Sequence, residues 1–162
     1  MTMRPPLTKG VEMRKLTTLA LLALTLGLVV SASASASATQ YQATFVEVGG
    51  AIPGGSCGSA TISGAGHVAY QCVYFNKCGA NCDVRRITFD DGSTLVMHES
   101  IVLVVSPGNS SAAGQNAPLF LDITQTIVDG TGRFADATGG GTGRVNTAAD
   151  AVIHSSGTIT LP

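Results

Sequence analysis

The feature that most constrains this chain is a succession of short runs rich in β-branched and aromatic residues, each closed off by Gly, Asn, Asp, Pro or Ser clusters. The runs are Tyr41 to Val48, Ser59 to Ile62, His67 to Phe75, Val84 to Phe89, Thr94 to Val105, Leu119 to Val128, Ala151 to His154 and Thr158 to Leu161. Such runs read as strands joined by tight turns. Beyond the N-terminal region no stretch repeats apolar residues at the helical spacing of about 3.6 over several turns. A parallel sheet needs long crossovers, usually helical, and none is available. The expectation is an all-β, closed antiparallel barrel of about eight strands, with a two-sheet β-sandwich as the alternative way to hide the sheet edges.

Composition agrees with a single packed domain. The chain has 162 residues, 44% of them hydrophobic and 12% charged, a balance that excludes a disordered chain. Its 20 glycines follow no G-X-Y repeat, which excludes collagen.

The first 38 residues read as a secretory signal. Arg14 and Lys15 precede an apolar run from Leu16 to Val30, and the serine–alanine stretch after it ends Ala36-Ser37-Ala38. A basic start, a roughly 15-residue apolar segment and an A-x-A site together predict export with cleavage after Ala38. Met13 to Ala38 is already a complete signal by itself. The apolar run is shorter than the roughly 20 residues of a membrane span, so no integral membrane anchor is expected in the mature chain. Residues 39–162 then form the single barrel domain, with five basic and nine acidic side chains and a net charge of −4. The scattered Lys77, Arg85, Arg86, Arg133 and Arg144 make no basic stripe, so nucleic acid is not an expected partner. The Gly- and Ser-rich stretch Ser106 to Asn116 reads as the one long surface loop, and Asn109-Ser110-Ser111 within it spells a glycosylation sequon.

One turn fixes a register. At Asp90-Asp91-Gly92 a three-residue loop with Gly92 left-handed pairs Phe89 with Ser93, Ile87 with Leu95 and Arg85 with Met97. Ile87, Phe89, Leu95, Met97, Ile101, Leu103 and Val105 then share the core face. A two-residue turn would place Thr88 and Arg86 among the leucines instead. In the chosen register Glu99 lies on the apolar face, with Arg85 diagonally opposite. A buried carboxylate needs a partner, because an unpaired charge in the interior costs several kcal/mol. Glu99, Arg85 and the adjacent Met97 are therefore the expected ligand-binding residues. The competing reading of Glu99 and Arg85 is a structural ion pair, or a Glu99 that simply reaches water at the barrel mouth. His98 faces the other way, towards solvent.

Cys57, Cys72, Cys78 and Cys82 all lie in the exported part, where disulfides are the rule. Of the three connectivities, 57–72 with 78–82 is favoured. A two-residue turn at Gly64-Ala65 sets Cys57 directly opposite Cys72, at the roughly 5.5 Å of a hydrogen-bonded pair, although parity would suit neighbouring positions better. No cysteine or histidine spacing supports a metal site, with or without His67, and no cofactor is expected. Gly54-Gly55-Ser56-Cys57-Gly58 spells a nucleophile elbow but no helix follows it. Gly130 to Ala135 spells a dinucleotide fingerprint without the βαβ unit it requires. No nucleophile–histidine arrangement emerges from His67, His98 or His154, so catalytic residues are not assigned.

The segment Thr124 to Val145 is the most distinctive in the chain. Its Gly130-Thr131-Gly132-Arg133-Phe134 core, followed by Ala135-Asp136-Ala137-Thr138-Gly139, resembles the strand–turn–strand signature of small exported bacterial proteins similar to the allene oxide cyclase and dirigent group of calycin-like barrels. Asp91-Gly92-Ser93-Thr94-Leu95 and Ser156-Gly157-Thr158-Ile159 are similar to further elements of that group. The strong match spans about thirty residues, Asp129 and Asp136 stand where such relatives often carry glycine, and the Cys72–Cys82 insertion departs from the pattern. Read physically, Gly130 and Gly132 allow positive φ at a tight turn, Phe134 is an apolar plug, and Arg133 is placed to cap Asp129 or Asp136. The resemblance implies a barrel. Plant members of the wider group include a cyclase acting on an unsaturated fatty-acid epoxide and proteins that steer phenoxy-radical coupling, but their active-site residues match no positions here.

Three functions are weighed. The first is a secreted, non-catalytic barrel that binds a small apolar ligand or a cell-surface partner. The second is an isomerase or cyclase, like the resembling group, that confines an apolar substrate. The third is a structural protein with a filled interior. Dimers and trimers occur in the resembling group, so an oligomer is compatible with each.

Overall fold

The computed structural model describes residues 37–105, 119–147 and 150–162. Eight strands follow one another: β1 (Ser37–Ile52), β2 (Gly55–Ile62), β3 (Val68–Gly79), β4 (Cys82–Phe89), β5 (Thr94–Val105), β6 (Phe120–Thr131), β7 (Thr138–Asn146) and β8 (Asp150–Leu161). Each pairs antiparallel with its sequence neighbours and β8 returns to β1, which closes the barrel. The closed barrel, not the sandwich, is the solution adopted. Among the described residues no helix is long and apolar enough to cross a membrane.

Alternation decides what lies inside. Along β1, Tyr41, Ala43, Phe45 and Glu47 are buried while Gln42, Val46 and Val48 are exposed. The period of two that sorts side chains to opposite faces thus sends every second residue inward from Tyr41 to Glu47. Ile87 and Phe89 on β4, Leu95 and Met97 on β5, Ile123 and Ile127 on β6, and Ile153 and Ile159 on β8 complete the apolar core.

The β4–β5 register is the one the turn dictates, with Ile87 opposite Leu95 and Arg85 opposite Met97. Gly92 has φ 80°, and the Phe89 amide donates to the Ser93 carbonyl at 3.0 Å. Further along, the expectation fails. Between Ile101 and Leu103 the β5–β6 register slips by one residue, so Leu103 lies opposite Asp122 and is 51% exposed rather than in the core. A single inserted residue, Val102, reverses the facing of the strand beyond it. The side chain of Val105 lies outside the described residues.

Two strands differ from their sequence reading. Ala151 to His154 and Thr158 to Leu161 are one continuous strand, β8, running through Ser155, Ser156 and Gly157. The eighth strand is instead β7, whose sequence Thr-Gly-Gly-Gly-Thr-Gly-Arg-Val-Asn carries no strand-like composition. Close approach requires those glycines: a Cβ on Gly141 would come 2.1 Å from the Ser156 carbonyl oxygen, and one on Gly157 2.1 Å from that of Gly140.

The end of the barrel holding the β2–β3, β4–β5 and β6–β7 connections is sealed. Gly132–Phe134 forms one turn of 3-10 helix and drives Phe134 into the barrel, its ring centroid 4.6 Å from that of Phe89. Gly132 has φ 61°, as a tight turn requires, whereas Gly130 serves close approach: a Cβ there would sit 2.2 Å from the Phe134 carbonyl oxygen. Arg133 lies over both rings, at 4.7 Å from each, and donates to the Ala65 carbonyl. Its carboxylate partner is Asp91 at 3.4 Å, not the expected Asp129 or Asp136, because the helical turn folds Arg133 back across the β4–β5 hairpin.

Both favoured disulfides form, Cys57–Cys72 and Cys78–Cys82. Cys57 faces Cys72 across β2 and β3, but the turn between them is not the two-residue one. Ile62 bridges Gly66, which leaves a three-residue loop, and the pairing slips by one before Gln71. That slip resolves the parity problem: the two Cα atoms are 4.0 Å apart, the narrow spacing of a non-hydrogen-bonded pair. Residues 1–36, which hold most of the expected signal, and the 106–116 loop with Asn109 lie outside the described residues. Ser37 and Ala38 form the start of β1, opposite Leu161 and Thr160.

Loop-closure entropy ranks the two bridges, since the longer loop gains more from cross-linking. Replacing Cys57 and Cys72 together by alanine should cost roughly 3 kcal/mol, and replacing Cys78 and Cys82 roughly 2 kcal/mol. Urea unfolding of both double variants checks the order, and reductant should lower the melting temperature of the wild type.

Candidate functional site

The interior is apolar except for one belt of polar side chains across its middle. Arg85 from β4 is the centre of this belt and is 1% exposed. Its Nε and one terminal nitrogen donate to the two oxygens of Glu99 on β5, at 2.6 and 2.9 Å. The other terminal nitrogen donates to Glu47 Oε1 on β1 at 2.6 Å and to the side-chain oxygen of Gln71 on β3. The guanidinium carbon lies 4.2 Å from the centre of the Phe45 ring. Such a forked, stacked arrangement uses the geometry that distinguishes arginine from lysine.

The belt continues on the far side. Gln125 on β6 donates from Nε2 to Glu99 Oε1 at 2.6 Å and accepts a hydrogen bond from the Tyr41 hydroxyl at 3.0 Å. Glycines make that reach available. Tyr41 pairs with Gly157, Gly157 with Gly141, and Gly141 with Gln125, so no side chain stands between the phenol and the amide. Gly58 plays the same part between Glu47 and Gln71. Burial, and then the charge of Glu99, push the Tyr41 hydroxyl up to about 12.

Between this belt and the unsealed end lies a cavity of about 180 Å³. Its floor is Glu47, Asp83, Arg85 and Glu99; its walls include Val73, Ile101, Leu121, Ile123, Val145 and Ile153; and its rim reaches the exposed Gly49, Phe75 and Thr147. Asp83 lies directly opposite Glu99 and accepts the Asn76 amide at 2.7 Å. The hydroxyl of Ser56, a wall residue 4% exposed, has no hydrogen-bond partner among the described residues. A larger hollow of about 670 Å³ lies on the outer wall between β1, β6, β7 and β8. It is solvent-open and edged by the Arg144–Asp122 pair and His154, so it encloses nothing.

The structure therefore unites Glu99 and Arg85 as the register predicts, but leaves Met97 out of the cavity. Met97 is fully buried in the apolar core, one inward position deeper than Glu99. His98 is half-buried on the outside of β5, within 4.8 Å of the Cys78 and Cys82 sulfurs. Those sulfurs are bonded to each other and so offer no thiolate to a metal. Glu47, Gln71, Asp83 and Gln125 are the site residues that sequence reasoning passed over. The signal for Glu47 was present: it continues the inward alternation of Tyr41, Ala43 and Phe45, as Glu99 continues that of Leu95 and Met97.

Burial acts on two of the floor carboxyls. Burial raises Glu47 above the usual carboxylate range and the neighbouring Glu99 and Asp83 charges add to this, while Arg85 holds it back. Burial likewise raises Asp83, opposed by the Asn76 amide and reinforced by Glu99. Burial pulls the Arg85 guanidinium down, but Glu99 and Glu47 outweigh it and leave its pKa above the ordinary arginine value. Both oxygens of Glu99 are engaged, by Arg85 and Gln125, whereas Glu47 is bonded through one oxygen only.

Removing the cation should be severe. Arg85→Met leaves the buried Glu47 and Glu99 without their cation and should cost about 3–5 kcal/mol at neutral pH, and less near pH 4, where burial favours the protonated Glu47 carboxyl. Urea unfolding at both pH values measures the difference. A second expectation comes from the raised carboxyls. The folded state holds those protons more tightly than the unfolded chain. Their contribution to stability is therefore full below the unfolded values of about 4, and is lost as pH rises through the raised folded ones. Relative to Glu47→Gln, which cannot ionise, the wild type should lose stability as pH rises above about 4. Parallel unfolding curves across that range check it. No protein family, curated protein or solved structure matches this chain, and the chemistry of the site is read from its own geometry.

Proposed function

We propose that this protein is exported and that its barrel binds a small, largely apolar ligand without transforming it. The observation that carries this reading is the asymmetry of the interior. One end is plugged by Phe134, while the other keeps a cavity of about 180 Å³ with apolar walls above a charged floor. An eight-stranded barrel either fills its interior with side chains or holds one small ligand, and this one divides its length between the two. A cavity of roughly 150 Å³ is enough for benzene, so the ligand is the size of a single ring or a short branched chain. Two disulfides fit an oxidising compartment, in keeping with the signal-like leader.

Catalysis in the manner of the cyclase or dirigent group is the weaker reading. Glu99, the carboxylate best placed by sequence to act as an acid or base, is held at both oxygens. An extended fatty-acid chain also exceeds what the cavity encloses.

The test is to fill the cavity. In the wild type, toluene should cause saturable NMR shifts at the methyls of Ile101, Ile123 and Ile153. In Ala151→Phe, which adds a ring to the cavity wall, those shifts should vanish while the melting temperature stays close to that of the parent. Absence of saturable shifts in the wild type would overturn the reading.

A further inference from the structure

We propose that the ligand of this cavity is a small amphiphilic amine, its ammonium group seated on the Glu47–Asp83 side of the floor beside Ser56 and its apolar body against the isoleucine wall. The inference rests on the reading of the cavity as a ligand site and adds the chemistry of the head group.

Donors and acceptors on the floor are out of balance. Three carboxylates, Glu47, Asp83 and Glu99, face one guanidinium, so the ionised floor carries two net negative charges. Four of the five N–H groups of Arg85 already donate, to both oxygens of Glu99, to Glu47 and to Gln71. An anionic ligand would have to displace carboxylates already in place. The acceptors, by contrast, are in surplus. Only Oε1 of Glu47 and Oδ1 of Asp83 are bonded, which leaves one oxygen on each. The Ser56 hydroxyl is an independent sign: 96% of the residue is buried, it lines the same cavity, and no protein group among the described residues meets it. A hydroxyl that faces the cavity with no protein partner is free to meet a bound head group. What fits a floor of unfilled acceptors is a ligand that brings donors and positive charge, and an ammonium brings three N–H groups with one charge. The raised Glu47 and Asp83 carboxyls agree with this, since both are held above their usual range by burial and by neighbouring negative charge. A cation bound between them would reverse that trend and expel their protons.

The probes are benzylamine, benzyl alcohol, toluene and benzoate, which share a ring that suits the cavity and differ in the head group. Titration calorimetry at pH 7 should show benzylamine binding about tenfold or more tighter than benzyl alcohol, the margin expected of charge-assisted over neutral hydrogen bonds. Benzoate should bind most weakly. Near pH 5 benzylamine binding should release protons, seen as a heat that varies with the ionisation enthalpy of the buffer. Glu47→Gln and Asp83→Asn should each lower the preference for the amine while keeping affinity for benzyl alcohol; the second variant touches no contact of Arg85, so it reports even where the first fails to fold. Benzyl alcohol and toluene binding as tightly as benzylamine would overturn the amine assignment and leave the ligand cavity standing. So would benzoate binding tightest, or a full amine preference in both folded variants. Failure of every probe to bind would overturn the cavity reading and this inference with it.

Discussion

A guanidinium with no access to water governs the interior of this barrel. Arg85 is encircled by Glu47, Gln71 and Glu99 and stacked on Phe45, and these residues come from β1, β3, β4 and β5. The four strands can bring them together only in one register, because a slip of one residue would send a charged side chain to the outer face and an outer one inward. The ion cluster thus acts as a pin. It ties the start of the barrel to its middle and does so with interactions that tolerate little displacement. Ion pairs at the surface, such as Arg144 with Asp122, carry no such consequence, since water competes for both partners.

Glycine is the counterpart of that pin. Polar side chains can meet across the interior only where intervening strands contribute none. Gly58 clears the way between Glu47 and Gln71, and the Gly141–Gly157 pair lets Tyr41 reach Gln125. The same two glycines allow β7 and β8 to approach more closely than a Cβ permits. One substitution pattern therefore serves both closure and the polar belt. This explains why the strand with the least strand-like composition is indispensable to the fold.

Legibility in the sequence followed the same division. Strands with alternating β-branched residues and the Asp90-Asp91-Gly92 turn were readable, because local sterics and the period of two decide them. From that register alone Glu99 and Arg85 fall on one face, and their contact is as expected. The strand β7 was hidden, since its stability comes from neighbours on both sides rather than from its own residues. Ser155 to Gly157 looked like a turn for the same reason. The outward facing of Leu103 depends on a one-residue bulge that composition does not announce. Glu47 is a different case: its position was readable by alternation, but its partner lies 38 residues away on a strand not adjacent to its own, and only closure of the sheet brings them together.

The cost of the belt bears on its purpose. A buried ion cluster replaced by well-packed apolar side chains is often as stable or more so, because desolvation consumes most of the Coulombic gain. Stability alone would therefore favour leucines and isoleucines at these inward positions, as in the half of the barrel plugged by Phe134. Register specificity accounts for Arg85 and Glu99, and for the one oxygen of Glu47 that Arg85 engages. It does not account for the second oxygen of Asp83 or for the Ser56 hydroxyl, on residues that the pin does not use and that line the cavity. Asp83 fastens β3 through the Asn76 amide with one oxygen only, and placing it opposite Glu99 raises the electrostatic cost. Under the proposed reading that cost has a use, because the charge is held ready for a cation that the folded protein does not itself supply.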